Sequence, residues 1–157
     1  MNRAAFIVDG QQEQKIIQKL CPEAPVRRSN CNGDRVEIKT AAKKIATLIR
    51  VMDNKYYPFI IIFDREDRKR SSNDICKDLM VAIRDENIDD ELIIGVPDRN
   101  IESWILCDWD NVKRKGNLRD PKKPVVSEGR KGKSIIYRHL PRNGRYQETI
   151  EGHCRPK

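Results

Sequence analysis

The chain has 157 residues, a length that suits one domain or one domain with an extension. Hydrophobic residues make up 38% and charged residues 36%, so a core can form beneath a heavily ionic surface; the net charge of +8 favours an acidic partner, nucleic acid first. Five scattered cysteines without a C-x-x-C pair argue against a disulfide framework and a structural zinc site, and the longest wholly apolar run, Phe59 to Phe63, is too short to span a membrane.

Ala4 to Val8 is a short apolar run ended by Asp9-Gly10, which predicts a buried strand and a turn. Gln12 to Leu20 then sets Ile16, Ile17 and Leu20 on one helical face, and Pro25 to Arg28 reads as a short second strand. Asn32-Gly33-Asp34 marks a turn and a helix cap. Beyond it, Ile38, Ala41, Ala42, Ile45, Leu48, Ile49 and Met52 recur at i, i+3 and i+4, with Lys39, Lys43, Lys44 and Arg50 on the remaining face. Pro58 opens Phe59-Ile60-Ile61-Ile62-Phe63, the pattern of a central parallel strand covered on both faces. Ile75, Leu79, Ala82 and Ile83 predict the next helix, capped by Ser71, Ser72 or Asn73. Leu92 to Val96 gives a fourth strand, and Ile101, Trp104, Ile105 and Cys107 begin a last helix. Strands alternating with helices imply an α/β fold with right-handed crossovers and a mainly parallel sheet of about four strands.

The character changes after Asp110. Residues 111–157 hold 14 Lys and Arg against 4 Asp and Glu, whereas residues 1–110 hold 18 against 20. The division expected is therefore an α/β domain over 1–110 and a basic, Gly- and Pro-containing extension over 111–157, with one short helix at Ser134 to Leu140. That extension is either a solvated tail or a surface for phosphate backbone, with Lys113, Arg114, Lys115, Arg130, Lys131, Lys133 and Arg138 as its cationic contacts. Trp104, spaced with Ile101 and Ile105, is expected in the core. Trp109 and Tyr146 lie among polar residues and are expected either to stack on bases or to pack.

In an open parallel sheet, sites form beyond the carboxyl ends of the strands. The first strand runs into Asp9, the third into Asp64-Arg65-Glu66-Asp67-Arg68, and Glu102 follows the fourth. Converging carboxylates repel unless a cation offsets them, and hard oxygen donors suit Mg²⁺ or Mn²⁺. The chemistry implied is phosphoryl transfer; the alternative is a solvated loop of self-paired charges. No phosphate-cradling glycine loop and no nucleophile elbow occur, and the two histidines, His139 and His153, both fall in the basic extension. A receiver-like phosphoacceptor at Asp64 lacks a second acid beside Asp9 and a lysine after a fifth strand.

Three segments carry a family resemblance. Ile7-Val8-Asp9-Gly10-Gln11-Gln12-Glu13 resembles the V-E-G-x-x-E opening of Toprim domains, the catalytic module of topoisomerases, primases and OLD-family nucleases. Ile60 to Glu66 is similar to their second motif, an apolar strand followed by D-x-D. Ile101 to Asp108 resembles the I-E-x-W-L-L-A-D segment of small stand-alone Toprim-like proteins, many of them associated with bacterial phage defence. The resemblance spans Ala5 to Asp110 and implies a three-layer Toprim-like fold with helices on both faces of the sheet. It implies a Mg²⁺- or Mn²⁺-dependent nuclease on DNA or RNA, with Asp64 and Glu66 as metal ligands, Glu102 beside them and Asp9 as general acid or base. Asp9 stands where the family has Glu, and Glu66 where it has the second Asp. Those departures leave open a non-catalytic scaffold that binds a partner ATPase, a defence-complex subunit or nucleic acid. Related chains continue past a segment like Gly144 to Glu148, so packing supplied by a partner or a second copy is a further expectation, as are a cytoplasmic location and no membrane.

Overall fold

The structure is a computed structural model that describes residues 3–31, 33–52, 55–116, 122–124 and 132–139. It divides into two compact units, Met1–Val96 and Pro97–Lys157.

The first unit is built on four parallel strands: β1 (Arg3–Val8), β2 (Val26–Arg28), β3 (Tyr56–Ile62) and β4 (Leu92–Gly95). They lie in the order β2-β1-β3-β4. Between them run α1 (Gln11–Leu20), α2 (Ile38–Met52) and α3 (Ser72–Arg84). Moving from β1 to β2 and then back past β1 to β3 reverses direction across the sheet. With right-handed crossovers, α1 and α2 therefore take opposite faces, and α3 joins α2. The protein is thus α/β, with an all-parallel four-stranded sheet between helical layers, consistent with a three-layer Toprim-like fold.

Register fixes which residues feed which face. Ile7 pairs with Ile61 and Val8 with Ile62. Ala5, Ile7, Phe59, Ile61 and Phe63 join one core with Ala41, Ala42, Ile45, Ala46 and Ile49 of α2 and Ile75, Leu79 and Ile83 of α3. Each buried Ile or Phe contributes about 1.5–3 kcal/mol relative to exposure, so this face dominates stability. Ile16 and Ile17 of α1 are buried too, but Leu20, expected beside them, is 59% exposed. It is the last helical residue, and the chain turns away at Cys21, whose N–H closes on Ile17 O at 2.7 Å.

Strand β3 begins two residues before Pro58 instead of at it. Proline has no N–H for the ladder, and the β1–β3 register shifts there: Arg3 faces Tyr56, while Ala5 faces Phe59. The extra residue forms a bulge, the position in a central strand that tolerates proline. Helix α3 starts at the cap expected, Ser71, whose hydroxyl accepts from Asp74 N at 3.1 Å.

The second unit contains α4 (Glu102–Cys107), α5 (Trp109–Gly116) and α6 (Gly132–His139). Leu106, Trp109, Val112, Ile135 and Ile136 form its core. Composition changes at Asp110, but packing changes at Pro97, because α4 shares this core with the two helices that follow. Trp104, expected in the core, is 44% exposed, while Trp109, expected to stack or to pack, is packed at 2% exposure. Glu102, Ser103, Leu106, Trp109 and Val112 keep one buried face at i+3 and i+4 spacing, and Trp104 lies off that face. Trp109 meets the His139 ring edge-to-face at 5.0 Å. Helices α4 and α6 cross closely at Gly132, where a Cβ would meet Ser103 N at 2.7 Å and the Glu102 carbonyl carbon at 2.8 Å. Among the described residues, no helix is long and apolar enough to cross a membrane.

Candidate functional site

The point where the strand order reverses lies between β1 and β3, the place where ligand sites form in open parallel sheets. Asp9 follows Val8 directly. Asp64 follows Phe63, whose N–H donates to Gly95 O at 3.1 Å and so extends β3 by one residue. Since Val8 is in register with Ile62, the two aspartates leave adjacent strands at the same edge. Both are buried, at 1% and 5% exposure.

Strand β2 supplies the support for Asp9. Ser29 N donates to Val8 O at 2.8 Å and Asn30 N to Asp9 O at 3.1 Å, which carries the ladder past the strand ends. Asn30 adopts a left-handed conformation, φ 52°, a region asparagine tolerates better than most side chains. The chain then folds back over Asp9. The Ser29 hydroxyl and the Cys31 N–H both donate to Asp9 Oδ1, at 3.2 and 3.1 Å. Asp9 Oδ2 is also buried and has no hydrogen-bond partner among the described residues.

The electrostatics follow from this burial. Desolvation pushes the Asp9 carboxyl from 3.8 up to about 6; the Ser29 hydrogen bond opposes the rise, the nearby Glu13 adds to it, and Cys31 N–H and Arg68 lower it. Glu13 is fixed because its carboxylate turns back to accept from Gly10 N at 2.9 Å, closing the first turn of α1. Burial likewise raises the Cys31 thiol, whose Sγ lies 3.6 Å from Ser29 O.

In the loop after β3, one arginine is bound chiefly to main chain. Arg68 donates to four main-chain carbonyls, those of Asp64 at 3.1 Å, Arg65 at 3.2 Å, Gly33 at 2.8 Å and Val36 at 3.1 Å. Its guanidinium also sits over the Phe63 ring, 4.8 Å from the centroid. One side chain therefore clamps the loop after β3 to the loop before α2. Arg65 donates to Arg70 O, and Arg70 pairs with Asp78 on α3. Glu66 is half-buried and held at φ 56°, where an L side chain is strained.

The site residues expected from sequence are thus distributed unevenly. Asp9 and Asp64 come to one sheet edge, with Glu66 in the loop that Asp64 opens. Glu102 belongs to the second unit, buried in the first turn of α4. Lys113 and Arg114 are exposed on α5; Lys133 and Arg138 lie on α6, half-buried and exposed. Arg130, Lys131, the Lys115 side chain and the segment from Gly144 to Glu148 lie outside the described residues.

Among the described residues, no group of three or more His, Cys, Asp or Glu gathers in a metal-holding arrangement. Mg²⁺ commonly takes one or two carboxylates and completes its shell with water and substrate phosphate. Asp9 and Asp64, with a buried Oδ2 on the first, fit that mode. Ser29, Cys31 and Arg68 escaped the sequence reading, and Glu13 entered it only as the last acid of the Toprim-like opening segment. The polar Ser-Asn-Cys run after a short strand was the one local signal for the first two.

No protein-family model, no curated protein and no solved structure matches this chain.

Proposed function

We propose that this protein is a Toprim-like, Mg²⁺- or Mn²⁺-dependent nuclease or related phosphodiester-processing enzyme, acting on DNA or RNA in the cytoplasm as an effector of bacterial antiphage defence. The observation that carries the reading is the buried Asp9 Oδ2, free of hydrogen-bond partners among the described residues and one residue beyond the β1–β3 register at the reversal point of the sheet. A carboxyl pushed up to about 6 exchanges its proton near neutral pH, as general acid–base work requires. Asp64 and Glu66 would hold the ion, which would supply polarisation of a phosphate and activation of water. Asp9 would take or return the proton. The four described cysteines are all free, in keeping with a reducing compartment.

The test is cleavage of plasmid, single-stranded DNA and transfer RNA with Mg²⁺ or Mn²⁺, comparing wild type with Asp64→Ala after circular dichroism has shown both folded. Loss of cleavage in the variant is expected; equal activity would end the reading.

One observation favours a second reading, a scaffold that binds a partner ATPase, a defence-complex subunit or nucleic acid without cutting. Asp9 Oδ1 is already engaged by Ser29 and Cys31, so this carboxyl has a structural task whatever else it does. Calorimetry separates the two: a nuclease of this kind binds Mn²⁺ and loses it in Asp64→Asn, while a scaffold without a metal site shows no heat in either.

A further inference from the structure

Positive charge in the first unit is concentrated in one stretch of chain. From Val26 to Met52 there are seven Lys and Arg against two Asp and Glu, although residues 1–110 together hold 18 against 20. The rest of that part of the chain is therefore strongly acidic, and the β2–α2 segment stands out against it.

Three of those cations border the carboxyl end of β2, Arg27 and Arg28 from opposite faces of the strand. Arg27 and Arg28 are exposed on β2, an edge strand, and make no ion pair among the described residues. Arg28 is in register with Val8, one residue before Asp9. Neighbouring strands lie about 4.8 Å apart, so this arginine stems from beside the carboxyl edge of β1. Lys44 on α2 reaches down to Asn30 O at 3.5 Å, which sets its ammonium over the loop whose backbone holds Asp9. Arg3, Arg50 and Arg70, by contrast, pair with Glu23, Glu86 and Asp78. The two acids of the segment, Asp34 and Glu37, come after this loop has turned toward α2.

We infer that Arg27, Arg28 and Lys44 form a phosphate-backbone contact surface that leads a nucleic-acid strand along the β2 edge to Asp9. The inference rests on the reading of the protein as one that acts on nucleic acid, and it adds a surface in the first unit distinct from the basic residues of the extension. Two arginines and a lysine, without aromatic or amide partners, recognise phosphate and not base identity, so binding here is indifferent to sequence. Charged residues on an edge strand also have a blander use, blocking strand-to-strand association. That use makes no demand on Lys44, which lies on a helix.

The experiment is fluorescence anisotropy with labelled duplex and single-stranded DNA across a range of salt. Each phosphate neutralised contributes about 0.9 to the slope of log affinity against log salt for duplex and about 0.7 for single strands. Arg27→Gln/Arg28→Gln/Lys44→Gln should lower that slope by about 2–3. A control that removes the same charge elsewhere in the unit, Lys39→Gln/Lys43→Gln/Lys77→Gln, should leave it close to wild type. Arg27→Lys/Arg28→Lys keeps the charge and should keep the slope, an outcome that misfolding would not give. Equal slopes in the test and control variants, or an unchanged slope with new self-association, overturn the inference and leave the proposed function standing. A wild-type protein that binds neither probe overturns the inference, and the proposed function falls with it only if cleavage of both DNA and RNA is absent.

Discussion

Cys31 donates its main-chain N–H to Asp9 Oδ1 at 3.1 Å, so the loop leaving β2 is fastened to the end of β1 by the side chain with the strongest claim to chemistry. Position and reactivity are joined in one carboxyl, and several consequences can be measured.

Asp9 should make stability depend on pH. Its carboxyl rises from 3.8 to about 6 on folding. The native protein holds this proton through a window, roughly pH 4 to 6, in which the unfolded chain has released it. The group's stabilising contribution is fully present below the unfolded value and is lost as pH rises through about 6. A shift of this size corresponds to about 3 kcal/mol. Asp9→Asn stays neutral and keeps an acceptor for Ser29 and Cys31. Urea unfolding of this variant should show a flatter pH profile between 4 and 7 than wild type.

Glu66→Gly should separate stability from binding. At φ 56° an L residue gives up about 1 kcal/mol that glycine does not. The variant should match or exceed wild type in denaturant midpoint while binding Mn²⁺ more weakly in calorimetry. Unchanged Mn²⁺ affinity would remove Glu66 from the site.

Arg68→Ala should loosen two loops at once. It removes four hydrogen bonds to carbonyls and the contact with Phe63, and the expected loss is about 2–3 kcal/mol of unfolding free energy. Arg68→Lys should recover less than half, since an ammonium lacks the planar fork that reaches both loops. Amide exchange at Gly33 to Val36 and at Arg65 to Arg68 should speed up together in both variants.

Gly132→Ala should disrupt the second unit specifically. Its new Cβ would fall 2.7 Å from Ser103 N and 2.8 Å from the Glu102 carbonyl carbon, both main-chain atoms that cannot turn aside. Helix α6 must then move off α4, at about 1–3 kcal/mol. Exchange protection in α4 and α6 should fall, with the strands of the first unit unaffected.

Much of this architecture was legible from periodicity. The apolar runs of β1, β3 and β4 and the stripe of α2 each depend on neighbours in sequence, and acids at strand ends pointed to one edge. What escaped depends on contacts between distant segments. Nothing local distinguishes Arg68 from Arg65, because the acceptors of Arg68 include carbonyls in another loop. Ser29 and Cys31 became visible as Asp9 partners only once β2 was laid beside β1. The exposure of Trp104 escaped because its spacing with Ile101 and Ile105 matched a core face, whereas α4 buries Glu102, Ser103 and Leu106 instead. The resemblance to Toprim motifs stands as a proposal that metal binding and cleavage will decide.

The pairing of Val8 with Ile62 has a bearing on assembly. These neighbours are separated along the chain by α1, β2 and α2, and closing a loop of that length comes at an entropic cost before any contact rewards it. A chain ending after α2 would carry Asp9, Ser29 and Cys31 but no strand to set Asp64 beside them. The carboxylate edge therefore exists only once β3 has docked against β1.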